Sequence, residues 1–197
     1  MLILASQSPR RRELLSMLGL DFTIITADID ETMNPALSIE DAVAEVCGRK
    51  AAAIGSSHPG DLIIAADTIV VLEDRILGKP HTEAEAKAML RSLSGRHHTV
   101  MTAFSLWKNG TADTHVEKTH VHFRELTDEE IAAYVATGSP MDKAGAYGIQ
   151  GYGALLVEGI EGDYSNVVGL PVCRLGRMLA RFGVDALALA AQKEQTT

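Results

Sequence analysis

The stretch that decides the fold class is LIIAADTIVVL, residues 62–72. It is an almost continuous run of apolar and β-branched side chains, the pattern of a strand covered on both faces. Asp67 and Thr68 interrupt the run at its centre. Because a buried carboxylate is costly without a partner, Asp67 is either hydrogen-bonded to the fold, paired with a Lys or Arg, or part of a metal or catalytic site.

The segments on either side of this run alternate between strand and helix signals. Further strands are expected over residues 2–5, 22–26, 76–77, 100–107 and 114–124, the last two joined by the hairpin signal Asn109-Gly110. Four helices are expected to begin at the hydroxyl N-cap residues Ser8, Ser38, Thr82 and Thr127. A last helix is expected over residues 171–182. The sequence therefore predicts an α/β fold class, a mixed central sheet with flanking helices.

Composition limits the kind of protein. A chain of 197 residues, 46% of them hydrophobic, fits a single domain over residues 1–197, with a polar tail from about residue 184 that frays after Ala190. The net charge of −8 excludes a general nucleic-acid binder. No apolar stretch approaches the ~20 residues of a membrane span, and the start lacks a signal-peptide pattern. Cys47 and Cys173 form no metal-type pair, which favours buried thiols in a reducing cytoplasm.

The first candidate site is the segment SQSPRRR, residues 6–12. Cationic side chains in the first turn of a helix oppose the helix dipole unless an anion is present. A phosphate would accept from Ser6, Ser8, Arg10 and Arg11 together with backbone N–H groups. The alternative is a solvated basic face.

The second candidate site is acidic. Asp28, Asp30 and Glu31 follow a predicted strand and could hold Mg²⁺ or Mn²⁺ if a second acidic group such as Asp67 converges on them. They could equally be a solvated loop. Lys79, between a glycine and a proline, could supply a cation to the same cleft.

The third candidate is the glycine-rich segment DKAGAYGIQG, residues 142–151. Its small residues allow close approach of a ligand, while Lys143 and Gln150 supply a charge and an amide for a phosphate or a base. The histidines offer no ligand set and are expected at the surface: His97, His98, His115, His120 and His122. Without a nucleophile elbow or a cysteine beside a base, covalent catalysis is disfavoured.

Taken together, the motifs resemble the Maf-type nucleoside triphosphate pyrophosphatases over nearly the whole chain, to about Phe182. They are, in chain order, Leu4-Ala5-Ser6 with Ser8-Pro9-Arg10-Arg11, Ala66-Asp67-Thr68, Gly78-Lys79-Pro80, Ser94-Gly95 with His98 and Val100, residues 142–151, and Val168-Gly169-Leu170-Pro171. The resemblance implies two lobes around a cleft, similar to the inosine triphosphate pyrophosphatase fold. It also implies hydrolysis between the α- and β-phosphates with a divalent metal cation, a cytoplasmic house-cleaning role and a possible homodimer.

The resemblance further implies residue roles. Asp67 matches the family's proton acceptor, supported by Glu31, Lys50 and Lys79, with Glu31 and Asp67 as candidate metal ligands. Arg10, Thr68 and Gln150 match the positions that tune base choice, and as Arg, Thr and Gln they are typical of the branch acting on dTTP and UTP. The alternatives are the 7-methyl-GTP branch and a non-catalytic nucleotide-sensing protein in division control.

Overall fold

The computed structural model describes residues 1–194 and contains one mixed sheet with helices around it. Its strands are β1 (Leu2–Ala5), β2 (Thr23–Ile24), β3 (Leu62–Leu72), β4 (Arg75–Leu77), β5 (His97–Lys108), β6 (Thr111–Phe123) and β7 (Val157–Glu161). Its helices are α1 (Pro9–Ser16), α2 (Ile39–Gly55), α3 (Glu83–Leu93), α4 (Asp128–Ala136), α5 (Tyr164–Val168), α6 (Val172–Arg181) and α7 (Ala186–Glu194). The predicted α/β class is confirmed.

The sheet combines parallel and antiparallel pairs. Its order is β2-β1-β3-β5-β6-β7, and β4 pairs with β3 off this path. Strand β1 is parallel to both β2 and β3, whereas β4 on β3 and β7 on β6 are antiparallel. β3 occupies the predicted range, residues 62–72, and all of its residues are buried except the half-buried Asp67 and Thr68. A polar pair therefore lies in the middle of an otherwise apolar strand.

The expected N-cap residues begin the helices. The side-chain oxygens of Ser8, Ser38 and Thr82 each accept a hydrogen bond from the backbone N–H three residues later. Thr127 forms a complete capping box with Glu130 before α4. These bonds satisfy N–H groups that the first turn of a helix leaves without an internal partner.

The chain divides into two compact units. The first comprises Met1–Asp67, Thr102–Val116 and the described residues from Gly169 onward, and the second comprises Thr68–Met101 and Glu117–Val168. The first unit buries Ile3 and Leu4 of β1 and the apolar face of α2. The second has its own core, formed by side chains of α3, α4, β6 and the glycine-rich segment. The expectation of a single domain with two lobes stays a prediction.

Two local expectations were wrong, and two elements were missed. The helix predicted over 171–182 is not the last one, because α7 follows it. That the tail frays after Ala190 stays a prediction. Residues 195–197 of that tail lie outside the described residues. Cys47 is buried as expected, but Cys173 is exposed, since α6 buries Leu175, Met178 and Leu179 on its opposite side. Strand β7 and helix α5 were not predicted at all.

Across residues 1–194, no helix combines the length and the apolar character needed to cross a membrane.

Candidate active site

The centre of the candidate site in the first unit is the Lys50 ammonium group. Its Nζ lies 3.1 Å from Oδ1 of Asp67 and 3.0 Å from Oε1 of Glu31. Lys50 comes from α2, Asp67 from the middle of β3, and Glu31 from the loop that follows β2. The side chains of Lys50 and Asp67 are only 15% and 18% exposed, whereas Glu31 is 61% exposed. The structure thus brings together three of the predicted residues around one cation.

The loop that carries Glu31 is held by Arg49, a residue that the sequence analysis did not single out. Arg49 donates from Nη1 to the Asp30 carbonyl and from Nη2 to the Thr32 carbonyl, both at 2.7 Å. These carbonyls flank Glu31 on both sides. Helix α2 therefore fixes the loop backbone through Arg49 and the Glu31 carboxylate through Lys50. In the sequence, the only sign of this role of Arg49 is its position next to Lys50.

The other acidic residues of this loop have different surroundings. Asp30 Oδ1 accepts from the Thr32 N–H at 2.9 Å, and hydrogen bonding to Thr32 lowers the pKa of Asp30. Asp30 thereby stabilises the turn that presents Glu31. Asp28 is exposed. Of the three candidate carboxylates, the structure brings only Glu31 to Lys50.

The predicted phosphate segment at the start of α1 is tied into the protein. Arg11 donates from Nε to the Gly169 carbonyl at 2.8 Å, and from Nη1 to Ser6 Oγ at 3.1 Å and the Ala66 carbonyl at 2.9 Å. Ser8 caps the helix by accepting from the Arg11 N–H, and its own N–H donates to Ser6 Oγ at 3.3 Å.

These bonds give Arg11 a structural position beside the catalytic candidate. The guanidinium holds the carbonyl of Ala66, the residue directly before Asp67 in β3. Burial lowers the pKa of Arg11, and the nearby negative charge of Asp67 partly opposes that shift. Arg10, one residue earlier, is half-buried in the first turn of the same helix. Phosphate binding by Ser6, Ser8, Arg10 and Arg11 stays a prediction.

Cys47 lies one turn before Lys50 on α2, and it is not a nucleophile. Its thiol is buried, lies 3.4 Å from the Ala103 carbonyl, and has a pKa raised to about 12 by burial and by the charge of Asp67. A thiol with that pKa carries no thiolate at neutral pH. That catalysis is not covalent stays a prediction.

The remaining predicted residues belong to the second unit. Lys79 and Gln150 have exposed side chains, and Thr68 is half-buried in β3. Lys143 donates from Nζ to the Ser139 carbonyl at 2.6 Å and to Asp142 Oδ1 at 2.5 Å. Their joint action with Asp67 on one substrate stays a prediction.

Within the second unit, the segments of Lys79 and Gln150 are linked. The Gly145 N–H donates to the Gly78 carbonyl at 3.0 Å, directly before Lys79. The expectation that His98 is a surface histidine was wrong: it is 3% exposed, and its Nε2 lies 2.7 Å from the hydroxyl of Tyr147. Sequence alternation could not reveal this, because the residues covering β5 are distant in the chain.

The carboxylates of Asp67 and Glu31 are the candidate ligands for a divalent cation. Lys50 contacts Oδ1 of Asp67 and Oε1 of Glu31, which leaves the second oxygen of each carboxylate open to a cation. Within residues 1–194, no group of three His, Cys, Asp or Glu side chains could enclose a metal ion. Two carboxylates with open oxygens fit Mg²⁺, which commonly binds one or two carboxylates together with substrate phosphates.

Comparison with known proteins identifies the family. The model of the Maf-like proteins matches residues 1–182. A dTTP/UTP pyrophosphatase of Geobacillus sp. (strain WCH70) is 53% identical over 182 residues, covering 92% of this chain and 98% of that protein. One of the same name from Pelotomaculum thermopropionicum is 50% identical over 188 residues, covering 94% and 98%. The solved Staphylococcus aureus Ham1 protein has a TM-score of 0.45 at 18% identity, over 64% of this chain and 72% of that one. The resemblance in the motifs is confirmed, and this chain belongs to the family of Maf-like proteins.

Proposed function

We propose that this chain hydrolyses dTTP and UTP to the nucleoside monophosphate and pyrophosphate. The observation that carries the proposal is a carboxylate, Asp67, set in a buried strand and oriented by the Lys50 ammonium 3.1 Å away. Relatives that are about half identical along nearly their whole length bear the name dTTP/UTP pyrophosphatase, which supports this substrate choice.

In the proposed reaction, Asp67 acts as the general base. Water is a poor nucleophile at neutral pH, so a positioned group must take its proton as its oxygen attacks phosphorus. The new P–O bond forms while the bond to the bridging oxygen between the α- and β-phosphates breaks. Pyrophosphate leaves with the electron pair of that bond. Because Arg11 holds the Ala66 carbonyl and Lys50 holds the carboxylate, Asp67 is fixed at both its backbone and its side chain.

Cationic side chains balance the charge of the triphosphate. Charge on the phosphoryl oxygens and on the leaving pyrophosphate is the main target of stabilisation in phosphoryl transfer. We assign this role to Lys50, Lys79, Arg10 and Lys143. Arg11, which donates to three protein oxygens, contributes its positive charge from a fixed position.

A divalent cation, Mg²⁺ or Mn²⁺, would be held by Glu31 and Asp67 together with oxygens of the bound nucleotide. When bound, it supplies further neutralisation of the phosphate charge and polarises the phosphoryl oxygens. Because the protein offers two carboxylates, we expect the cation to bind mainly with the nucleotide.

Base choice is assigned to Arg10, Thr68 and Gln150, the residues that match the family's tuning positions. A hydroxyl and an amide that bond the pyrimidine edge disfavour a base that leaves them unpaired. The proposed substrates are free nucleotides, which fits the expected cytoplasmic location. A homodimer stays an expectation from the family.

The deciding experiment is a nucleotide panel run with Mg²⁺ and Mn²⁺ in parallel, with coupled detection of the released pyrophosphate. dTTP and UTP should be hydrolysed far faster than GTP or 7-methyl-GTP. A preference for 7-methyl-GTP would move the chain to the sister branch and leave the chemistry in place. Tight nucleotide binding without pyrophosphate release, with metal present, would instead favour the nucleotide-sensing alternative.

A further inference from the structure

The pair formed by His98 and Tyr147 in the second unit has no part in the mechanism above. Both side chains are buried, and His98 Nε2 lies 2.7 Å from the Tyr147 hydroxyl. Phe123 completes a group of three rings that meet edge to face, with centroid separations of 4.7 to 5.3 Å. Such edge-to-face contacts are favourable and directional. His98 therefore fixes the orientation of the tyrosine ring.

The hydrogen bond of this pair joins two neutral groups. Burial lowers the pKa of His98 to about 4 and raises that of Tyr147 above its usual value. Within the described residues, His98 Nδ1 is buried without a hydrogen-bond partner. The bond forms with Nε2 donating to the phenol oxygen or with the phenol hydroxyl donating to Nε2, and both arrangements hold the tyrosine ring in the same place.

The loop that contains Tyr147 needs an anchor. Gly145 and the following Ala146 have φ values of +68° and +59°, in the left-handed region that side-chain-bearing residues rarely adopt. A Cβ added at Gly145 would lie 3.0 Å from the side chain of Val70, so the loop is also closely packed there. Strained backbone persists only where its surroundings fix it. The buried Tyr147, next to Ala146, is in the position to do so.

Two candidate substrate contacts depend on this loop. Gln150 follows Tyr147 by three residues and presents an exposed side chain. The Gly145 N–H binds the Gly78 carbonyl, which directly precedes Lys79. A shift of Tyr147 would therefore move the Gln150 amide, which is proposed to bind the nucleotide base. It would also loosen the segment that carries Lys79, which is proposed to bind the phosphates.

We propose that His98 is a positioning residue that, through Tyr147, holds residues 144–150 and the Gly78-Lys79 segment in place and thereby sets the selectivity for the base. The proposal rests on the proposed function, because it uses the substrate roles assigned to Gln150 and Lys79. Neither His98 nor Tyr147 is assigned a contact with the nucleotide.

The test compares Tyr147→Phe, His98→Leu and the double variant with the wild type. Tyr147→Phe keeps the ring and removes only the hydroxyl, so the fold should survive. We expect each single variant to lower the ratio of kcat/KM for dTTP over dCTP about tenfold, as the loss of one well-placed hydrogen bond would. The double variant should show no further loss, because both changes break the same bond.

The matched control is Thr119→Val, which removes a buried hydroxyl in the same unit. Thr119 Oγ1 accepts from the Asn166 side chain and donates to the Asp163 carbonyl, and both partners lie outside residues 144–150. This variant should lose thermal stability and keep the wild-type selectivity ratio. Hydrogen–deuterium exchange should be faster at residues 78–80 and 144–150 in Tyr147→Phe, and unchanged there in Thr119→Val.

Unchanged selectivity and unchanged exchange in Tyr147→Phe and His98→Leu, with only a lower melting temperature, would overturn the proposal. A wild-type protein that hydrolyses neither dTTP nor UTP would refute the proposed function instead. In that case the exchange measurement still decides whether His98 anchors the loop.

Discussion

Lys50 Nζ lies 3.1 Å from Asp67 Oδ1 and links helix α2 to the centre of strand β3. The same ammonium group lies 3.0 Å from Glu31 Oε1. One lysine thus holds two carboxylates that are 36 residues apart in the chain. Of the side chains of β3, the Asp67 carboxylate has the highest free-energy cost of burial, and its ion pair with Lys50 offsets part of that cost.

Asp67→Asn keeps the shape of the side chain and removes the proposed base. We expect the rate of pyrophosphate release to fall by about 10² or more, the usual contribution of general base catalysis. The melting temperature should stay close to that of the wild type. Asp74→Asn, in the exposed turn after β3, is the control and should keep full activity. Near-normal turnover by Asp67→Asn would reject the assigned role.

Lys50→Met leaves the Asp67 carboxylate in a largely buried position without its cation. We expect a loss of about 1–3 kcal/mol in the free energy of unfolding, below the range for fully buried pairs because both side chains retain some exposure. Adding Asp67→Asn should recover part of this loss, since the unpaired charge is removed. Urea denaturation of both single variants and the double variant measures the coupling. Strictly additive losses would show that the ion pair does not stabilise the fold.

Arg11→Lys retains a positive charge, but an ammonium lacks the planar fork of the guanidinium. It therefore cannot donate to the Gly169 carbonyl, Ser6 Oγ and the Ala66 carbonyl together. We expect a loss of about 1.5–3 kcal/mol in the free energy of unfolding and a lower kcat, since the Ala66 carbonyl is released. KM for dTTP should change less than kcat. Arg12→Lys, on the exposed side of α1, should change stability by less than about 0.5 kcal/mol. A rise in KM without a change in kcat would contradict this and indicate that Arg11 binds the substrate directly.

Arg49→Lys should release the backbone on both sides of Glu31. The two Nη atoms of Arg49 each bind a different carbonyl, whereas a lysine donates from a single nitrogen and lacks that spacing, so the Glu31 carboxylate should lose its fixed position. We expect a higher Mg²⁺ concentration for half-maximal activity, measured at saturating dTTP. Arg75→Lys, exposed in β4, is the control. An unchanged Mg²⁺ dependence would show that Arg49 does not position Glu31 for the cation.

The buried His98 predicts a pH dependence of stability. Its pKa is about 4 in the fold, against about 6.5 in the unfolded chain, so the unfolded state binds more protons between these values. The free energy of unfolding should therefore fall by about 3 kcal/mol as the pH drops from 6.5 to 4. His98→Gln should flatten this dependence, measured by urea denaturation at several pH values. His81→Gln, at an exposed position, should leave it unchanged.

Local structure was predictable because its causes are local. The bounds of β1 and β3, the hairpin at Asn109-Gly110 and the four N-caps match the sequence prediction. Strand β7 escaped prediction, since its five residues are mostly exposed and pair at the sheet edge with β6. Short 3₁₀ turns form in and beside the glycine-rich segment, at Ser139–Asp142, Ala144–Ala146 and Gly151–Leu155. The turn at Ala144–Ala146 packs against α3, which lies far away in the chain.

By itself, the sequence determined the fold class and the family, because apolar periodicity, N-cap residues and ordered motifs are properties of the chain. It also supplied the candidate site residues, whose roles stay predictions. Only the tertiary structure decided what those residues contact. In the structure, Arg11 donates to three protein oxygens and Lys50 contacts both Asp67 and Glu31. His98 is buried against Tyr147. These outcomes depend on which distant segments pack together. A side chain's partners and its burial follow from that packing, and no local pattern specifies them.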